Sequence, residues 1–222
     1  MNLARAWSLA SLIVVASWHP APATAQTQSA AISKERVTFK SGSLTLVGFL
    51  FKPDGAGPFP ALVWNHGSVR LLEGEHLDDQ LAGQAYVKRL PYVDPQRLVV
   101  AGCSFGGIET LLAAERGAGY GAAVAISPGA QSWNGNALRR DRLVTAVREA
   151  EIPVFLIQPP KDASLEPSRV LGAELERHGK QNAVKVYTPD MPEDQQGHCF
   201  GGARGMHVWA QDVLTFFAGA LR

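Results

Sequence analysis

Leu98-Val99-Val100-Ala101-Gly102-Cys103-Ser104-Phe105-Gly106-Gly107 is the stretch on which the fold turns. Leu98 to Ala101 is an unbroken apolar run, as expected of a strand buried on both faces. Phe105 to Arg116 is predicted to be a helix closed by Gly117. Between them lies the pattern G-x-S-x-G, in the strand–turn–helix context where such a turn lifts a nucleophile above the sheet edge. The following helix aims its N-terminus, with its free N–H groups, at the same point. Two adjacent atoms compete for the role of nucleophile. Centred on Ser104, the flanking positions are Gly102 and Gly106. Centred on Cys103 they are Ala101 and Phe105, and a phenyl ring does not fit so tight a turn. Ser104 is therefore read as the nucleophile and Cys103 as a small packing residue pointing aside.

Outward from this turn, strands alternate with helices. Strands are predicted at Val37–Phe39 and Leu44–Phe51, joined through Ser41-Gly42-Ser43, and at Ala61–Trp64, Ala122–Ile126, Val154–Ile157 and Val184–Tyr187. Helices are predicted at Glu75–Arg89, Leu138–Ala150, Ser168–His178 and Val208–Leu221. This alternation implies an α/β fold, a doubly wound and mostly parallel sheet. In such sheets functional groups collect on the loops after the carboxyl ends of the strands.

A serine nucleophile needs a base, and the base an orienting acid, in the chain order Ser, Asp or Glu, His. Of six histidines, only His178, His198 and His207 follow Ser104. His178 sits at a predicted helix C-terminus, where its charge suits the dipole, and His207 at the start of the last helix. His198, in the loop Gly197-His198-Cys199-Phe200-Gly201-Gly202, is the expected base. Asp162, just past the Val154 strand, is the expected acid, with Glu166 its nearest rival. Two N–H donors should hold the oxyanion: the amide of Phe105, and that of Ser68 in Asn65-His66-Gly67-Ser68. Trp133 is a candidate wall of the substrate pocket.

Composition bounds the partners. The 222 residues carry 21 Lys and Arg against 20 Asp and Glu, and 46% are hydrophobic. That balance disfavours nucleic acid and anionic membranes as partners and leaves a small molecule. Two cysteines are too few for a disulfide scaffold, and their spacing fits no zinc knuckle. Met1 to Ala25 reads as a secretory signal: Arg5, an apolar run from Trp7 to Trp18, then Ala23-Thr24-Ala25 as a cleavage site. The expected location is secreted or periplasmic. The expected domain spans 35–222, after a loose leader at 26–34.

Asn65-His66-Gly67-Ser68, Pro91-Tyr92-Val93-Asp94, Gly102-Cys103-Ser104-Phe105-Gly106-Gly107 and Gly197-His198 together resemble the dienelactone hydrolase family of the α/β-hydrolase superfamily. The resemblance runs from about Phe39 onward and implies a metal-free hydrolase of esters or lactones. Family members proper carry cysteine at the centre of the elbow, where this chain has Ser104, so a general esterase is the expectation. The resemblance also implies two helices and a strand between Trp64 and Leu98, where only Glu75–Arg89 looks regular. About one helix–strand unit is missing, between the third and fifth family strands. A gap or a new pairing should then fall between the Leu44 and Ala61 strands. Two functions follow: an ester hydrolase using Ser104, His198 and Asp162, or a non-catalytic binding protein on the same scaffold. Cys103 and Cys199, each beside a triad residue, are expected to point apart and remain free thiols.

Overall fold

The computed structural model describes residues 10–15, 31–67 and 73–222. They form, in order, β1 (Ala10–Val15), β2 (Ile32–Ser41), β3 (Leu44–Pro53), β4 (Phe59–Asn65), α1 (Glu73–Lys88), β5 (Val93–Cys103), α2 (Phe105–Arg116), β6 (Ala122–Ile126), α3 (Ala137–Arg148), β7 (Val154–Gln158), α4 (Glu166–Arg177), β8 (Asn182–Val186) and α5 (Met206–Ala220). All the strands join one sheet, in the order β2-β3-β1-β4-β5-β6-β7-β8. From β4 to β8 neighbouring strands are parallel. This is the expected α/β architecture. β2 and β3 form an antiparallel hairpin whose turn uses Gly42 at φ +52°, a conformation open to glycine at no steric cost.

Strand alternation divides the core. Leu98 and Val100 of β5 face the layer of α1 to α4, with Leu111 of α2, Leu143 of α3 and Leu171 of α4. Val99, Ala101 and Cys103 face the other way, toward Trp209, Val213 and Phe217 of α5. β6 and β7 are buried along their whole length. Complete burial of a Val or Leu side chain is worth about 1.5–3 kcal/mol, so this paired core rather than helix propensity holds the sheet. α2 is buried from Gly106 to Ala114 and ends where Gly117 turns to φ +61°.

β4 passes directly to β5 over the single helix α1, so the shortened connection read from the sequence is present. The vacant position between β3 and β4 is filled by β1. It runs parallel to β3, from Ala10 opposite Val47 to Val14 opposite Phe51, and antiparallel to β4, from Leu12 opposite Trp64 to Val15 opposite Ala61. The sequence reading assigns this run to a secretory signal; in the uncleaved chain it pairs with both neighbours. Both neighbouring edges otherwise carry unpaired backbone groups, and an extended apolar segment satisfies them. The remainder of the expected signal, and Gln26 to Ala30 of the leader, lie outside the described residues. The expected domain boundary at 35 also moves. β2 begins at Ile32, opposite Pro53, because ladder bonding to β3 holds exposed residues that no hydrophobic pattern marks.

Candidate active site

Ser104 follows the last residue of β5 and precedes the first of α2, with φ 59° and ψ −117°. A non-glycine residue there is strained, a common mark of functional turns. The surroundings hold it. Its amide donates to the Ile126 carbonyl at 2.9 Å, and its own carbonyl accepts from the amides of Gly107 (3.1 Å) and Ile108 (3.2 Å). The two flanking glycines are obligatory. A Cβ on Gly102 would run into the Gly106 carbonyl, and one on Gly106 into that of Asn65. Neither position flanking Ser104 therefore has room for a side chain. Asn65 is fastened to the same turn: its Nδ2 donates to Thr110 Oγ1 (3.3 Å), which donates to the Gly106 carbonyl (2.8 Å).

Phe105 is the first residue of α2, where a backbone amide has no partner in the helix's own ladder. That is the position expected of an oxyanion donor. Ser68, the expected second donor, lies outside the described residues. Its neighbour Gly67 does reach Ser104: a Cβ there would stand 3.2 Å from that of Ser104.

Asp162 and His198 meet on loops after β7 and β8. His198 Nδ1 lies 2.7 Å from Asp162 Oδ1, with the carboxylate side chain fully buried and the imidazole one-fifth exposed. The imidazole's other nitrogen, Nε2, is buried without a hydrogen-bond partner. Ser104 does not fill it in this structure, so the ring is oriented on one side and open on the other. Burial pushes the Asp162 carboxyl upward, but hydrogen bonds from His198, Ser127 and Gln158 outweigh it and hold the group below its ordinary range.

Two supporting residues escaped the sequence reading. Gln158, the last residue of β7, is completely buried. Its Nε2 donates to Asp162 Oδ2 (3.0 Å) and to the Ser164 carbonyl (2.8 Å), while its Oε1 accepts from the Ser168 amide (3.1 Å). It therefore ties Asp162 to the start of α4. Ser127, directly after β6 and also completely buried, has φ 51°. Its Oγ accepts from the Cys199 amide at 3.4 Å and its side chain bonds Asp162, so it touches the loops of both Asp162 and His198. Their one sequence signal is position: each closes a parallel strand at its carboxyl end. The two loops are also joined by the Lys161 amide donating to the Gln196 carbonyl at 2.8 Å.

Beyond His198 the chain makes a left-handed turn. Cys199, Phe200, Gly201 and Gly202 have φ of 56°, 55°, 66° and 72°. Phe200 is fully buried and packs edge-on against Tyr187 at 5.2 Å. Cys199 is bonded to Cys103 in a disulfide, with Cα atoms 6.1 Å apart. The expectation of two free thiols is corrected. Alternation along β5 sends Cys103 to the α5 face of the sheet, and the His198 loop approaches that same face.

The other expected residues sort plainly. Trp133 is only 5% exposed and belongs to the core beneath α1 to α4, so it packs rather than lining an open pocket wall. Glu166 pairs with Arg169 on the surface. His178 lies 3.2 Å from Glu174 at the end of α4, and His207 is exposed, with Nδ1 2.9 Å from the Arg204 carbonyl. Among the described residues no group of three or more His, Cys, Asp or Glu could hold a metal ion, and no helix is long and apolar enough to cross a membrane.

The model of the prolyl oligopeptidase family matches residues 62–143, from β4 into α3. No curated protein matches the chain. Among solved structures, it is similar to an acylaminoacyl peptidase of Pyrococcus horikoshii, with a TM-score of 0.69 at 16% identity over 86% of this chain and 42% of that one. It is similar to the dienelactone hydrolase of Anabaena variabilis, with a TM-score of 0.64 at 17% identity over 86% and 99%. It is similar to dipeptidyl peptidase 4 of Porphyromonas gingivalis, with a TM-score of 0.61 at 15% identity over 85% and 36%. The chain thus spans less than half the length of those two peptidases but nearly all of the dienelactone hydrolase. Sheet order, elbow and these likenesses agree on one scaffold: the chain has the α/β-hydrolase fold.

Proposed function

We propose that this chain is a serine hydrolase that cleaves carboxylic esters or lactones of small molecules through Ser104, His198 and Asp162. The observation that carries the reading is the buried Asp162–His198 pair, its Nε2 without a hydrogen-bond partner, on the sheet edge that presents Ser104. Ser104 Oγ attacks the substrate carbonyl and His198 Nε2 takes its proton. Asp162 fixes the tautomer by accepting from Nδ1–H and stabilises the imidazolium that forms. The Phe105 amide donates to the developing oxyanion, an interaction worth roughly 10²–10³ in rate where single donors have been removed. His198 then protonates the departing alcohol, and water releases the acyl group from Ser104 by the same steps in reverse.

Hydrolysis of short p-nitrophenyl esters by the purified protein tests this, with Ser104→Ala as control. Turnover that disappears in the variant supports the reading. A wild-type chain inert toward esters and lactones supports the binding-protein alternative. A second reading rests on the match to the prolyl oligopeptidase family: the same atoms acting on peptide amides. Peptidyl p-nitroanilides, assayed in parallel, separate the two.

Export completes the proposal. The Cys103–Cys199 bridge supports it, because disulfides persist in oxidising compartments. Intact-mass analysis of protein recovered from the periplasm should find a chain beginning at Gln26, so that β1 belongs to the uncleaved chain alone. Recovery of the uncleaved chain, with Ala10–Val15 still available to the sheet, would overturn the cleavage site.

A further inference from the structure

Ser104 and His198 each have a bonded cysteine as chain neighbour. Cys103 precedes the nucleophile and Cys199 follows the base, and the bridge joins points 96 residues apart in sequence at a Cα separation of 6.1 Å. Two strained segments meet there. Ser104 has φ 59°, and Cys199 and Phe200 have φ 56° and 55°, conformations that L-residues adopt reluctantly. On the nucleophile's side, backbone bonds to Ile126, Gly107 and Ile108 hold the strain. On the base's side the Cys199 amide has a long bond to Ser127 at 3.4 Å, the Phe200 amide donates to the Gly197 carbonyl at 2.9 Å, and Phe200 is buried against Tyr187. None of these bonds reaches the imidazole itself. Of the imidazole's two nitrogens only Nδ1 is bonded, so the Asp162 contact fixes one point of the ring and leaves its tilt to the backbone.

We infer that the Cys103–Cys199 disulfide is a positioning device that sets the His198 ring over Ser104, and that it makes hydrolysis depend on the bridge staying oxidised. The inference rests on the proposed triad for its catalytic readout. A one-residue offset from each reacting group transmits loop displacement almost directly, and a misplacement near 1 Å can cost about a hundredfold in rate. Reduction is chemically simple: a dithiol such as dithiothreitol gives two electrons and two protons, the S–S bond becomes two thiols, and the reductant leaves as its cyclic disulfide.

The test compares oxidised wild type, wild type reduced by dithiothreitol, and the double variant Cys103→Ala/Cys199→Ala, all at a temperature where circular dichroism shows each folded. For ester turnover we expect kcat to fall by about ten- to a hundredfold on reduction, KM to change by less than about twofold, and reoxidation to restore kcat. The double variant should match the reduced protein and ignore dithiothreitol. A bridge that only stabilised the fold would leave kcat per folded molecule unchanged, and that result overturns the inference. Proton NMR of the hydrogen-bonded Nδ1–H of His198, with amide exchange over residues 197–205, reads the same device without turnover. We expect the resonance to broaden and protection to fall on reduction; an unchanged resonance and unchanged protection overturn the inference even if no ester is hydrolysed. Activity that survives Ser104→Ala overturns the proposed triad instead and leaves the NMR readout to judge the bridge.

Discussion

Asp162 and His198 lie 36 residues apart in the chain and 2.7 Å apart in space, Oδ1 to Nδ1, with the carboxylate sealed from solvent. A charge so buried persists because three side-chain hydrogen bonds and the Ala163 amide replace its water, and one of those donors is the imidazole it orients. In the proposed hydrolase the pair holds a proton on one nitrogen and leaves the other for exchange with substrate.

Ser104→Ala should lower ester kcat by roughly three or more decades, since residues acting as a unit fail together. Steady-state kinetics, with circular dichroism as a folding check, decide it. Turnover near the wild-type level would remove Ser104 as nucleophile.

Asp162→Asn should drop kcat by about four decades while the fold persists, because an amide there can hold the wrong imidazole tautomer. The same variant reports on stability. The Asp162 carboxyl titrates lower in the folded protein than in the unfolded chain, whose carboxyls titrate near 3.9. On acidification the unfolded state takes up the proton first, so the stabilisation is complete above about pH 5 and is lost as pH falls through the folded value. Urea midpoints measured from pH 7 to pH 3 should therefore converge between wild type and variant at the acid end. Parallel curves would contradict the burial of an ionised Asp162.

His198→Ala should abolish turnover, and His207→Ala should leave both rate and pH profile intact. Asp162 stays ionised through the range in which an imidazole takes a proton, so the acid limb of kcat/KM should show a single protonation. A limb of slope two would implicate a second group.

Gly106→Ala places a methyl against the Asn65 carbonyl, in a turn pinned on every side. Destabilisation at the upper end of about 1–3 kcal/mol for overpacking is expected, with loss of activity. Gly135→Ala meets nothing within 4 Å and should stay within about 0.5 kcal/mol of wild type. Thermal melts of the two variants make the comparison.

Reducing Cys103–Cys199 should cost about 2–4 kcal/mol of unfolding free energy, since the bridge closes a loop of sequence separation 96 and constrains the unfolded chain. Denaturant titration with and without reductant measures it. Protein of equal stability in both states would mean the bridge stabilises nothing.

The local letters of the sequence determined the alternation of strands and helices from β2 onward and the strand–turn–helix at Ser104. β6 and α2 lie where their patterns put them, because short apolar runs and a closing Gly117 are local signals. Chain order along parallel strands was enough to single out Asp162 and His198, since this topology brings successive carboxyl-end loops to one edge. Tertiary structure decided the rest. Gln158 and Ser127 look like ordinary polar residues until burial leaves their side chains only the acid and base loops to bond. Trp133 carried no mark of which side of the sheet it would enter. The free-thiol expectation failed because side-chain direction at Cys199 is set by a left-handed turn spanning two non-glycine residues, which no local propensity foretells. The strand at Ala10–Val15 was equally illegible. Its apolar run has the letters of a leader, and only the open edges of β3 and β4, which exist once the sheet has formed one unit short, give it a place in the fold.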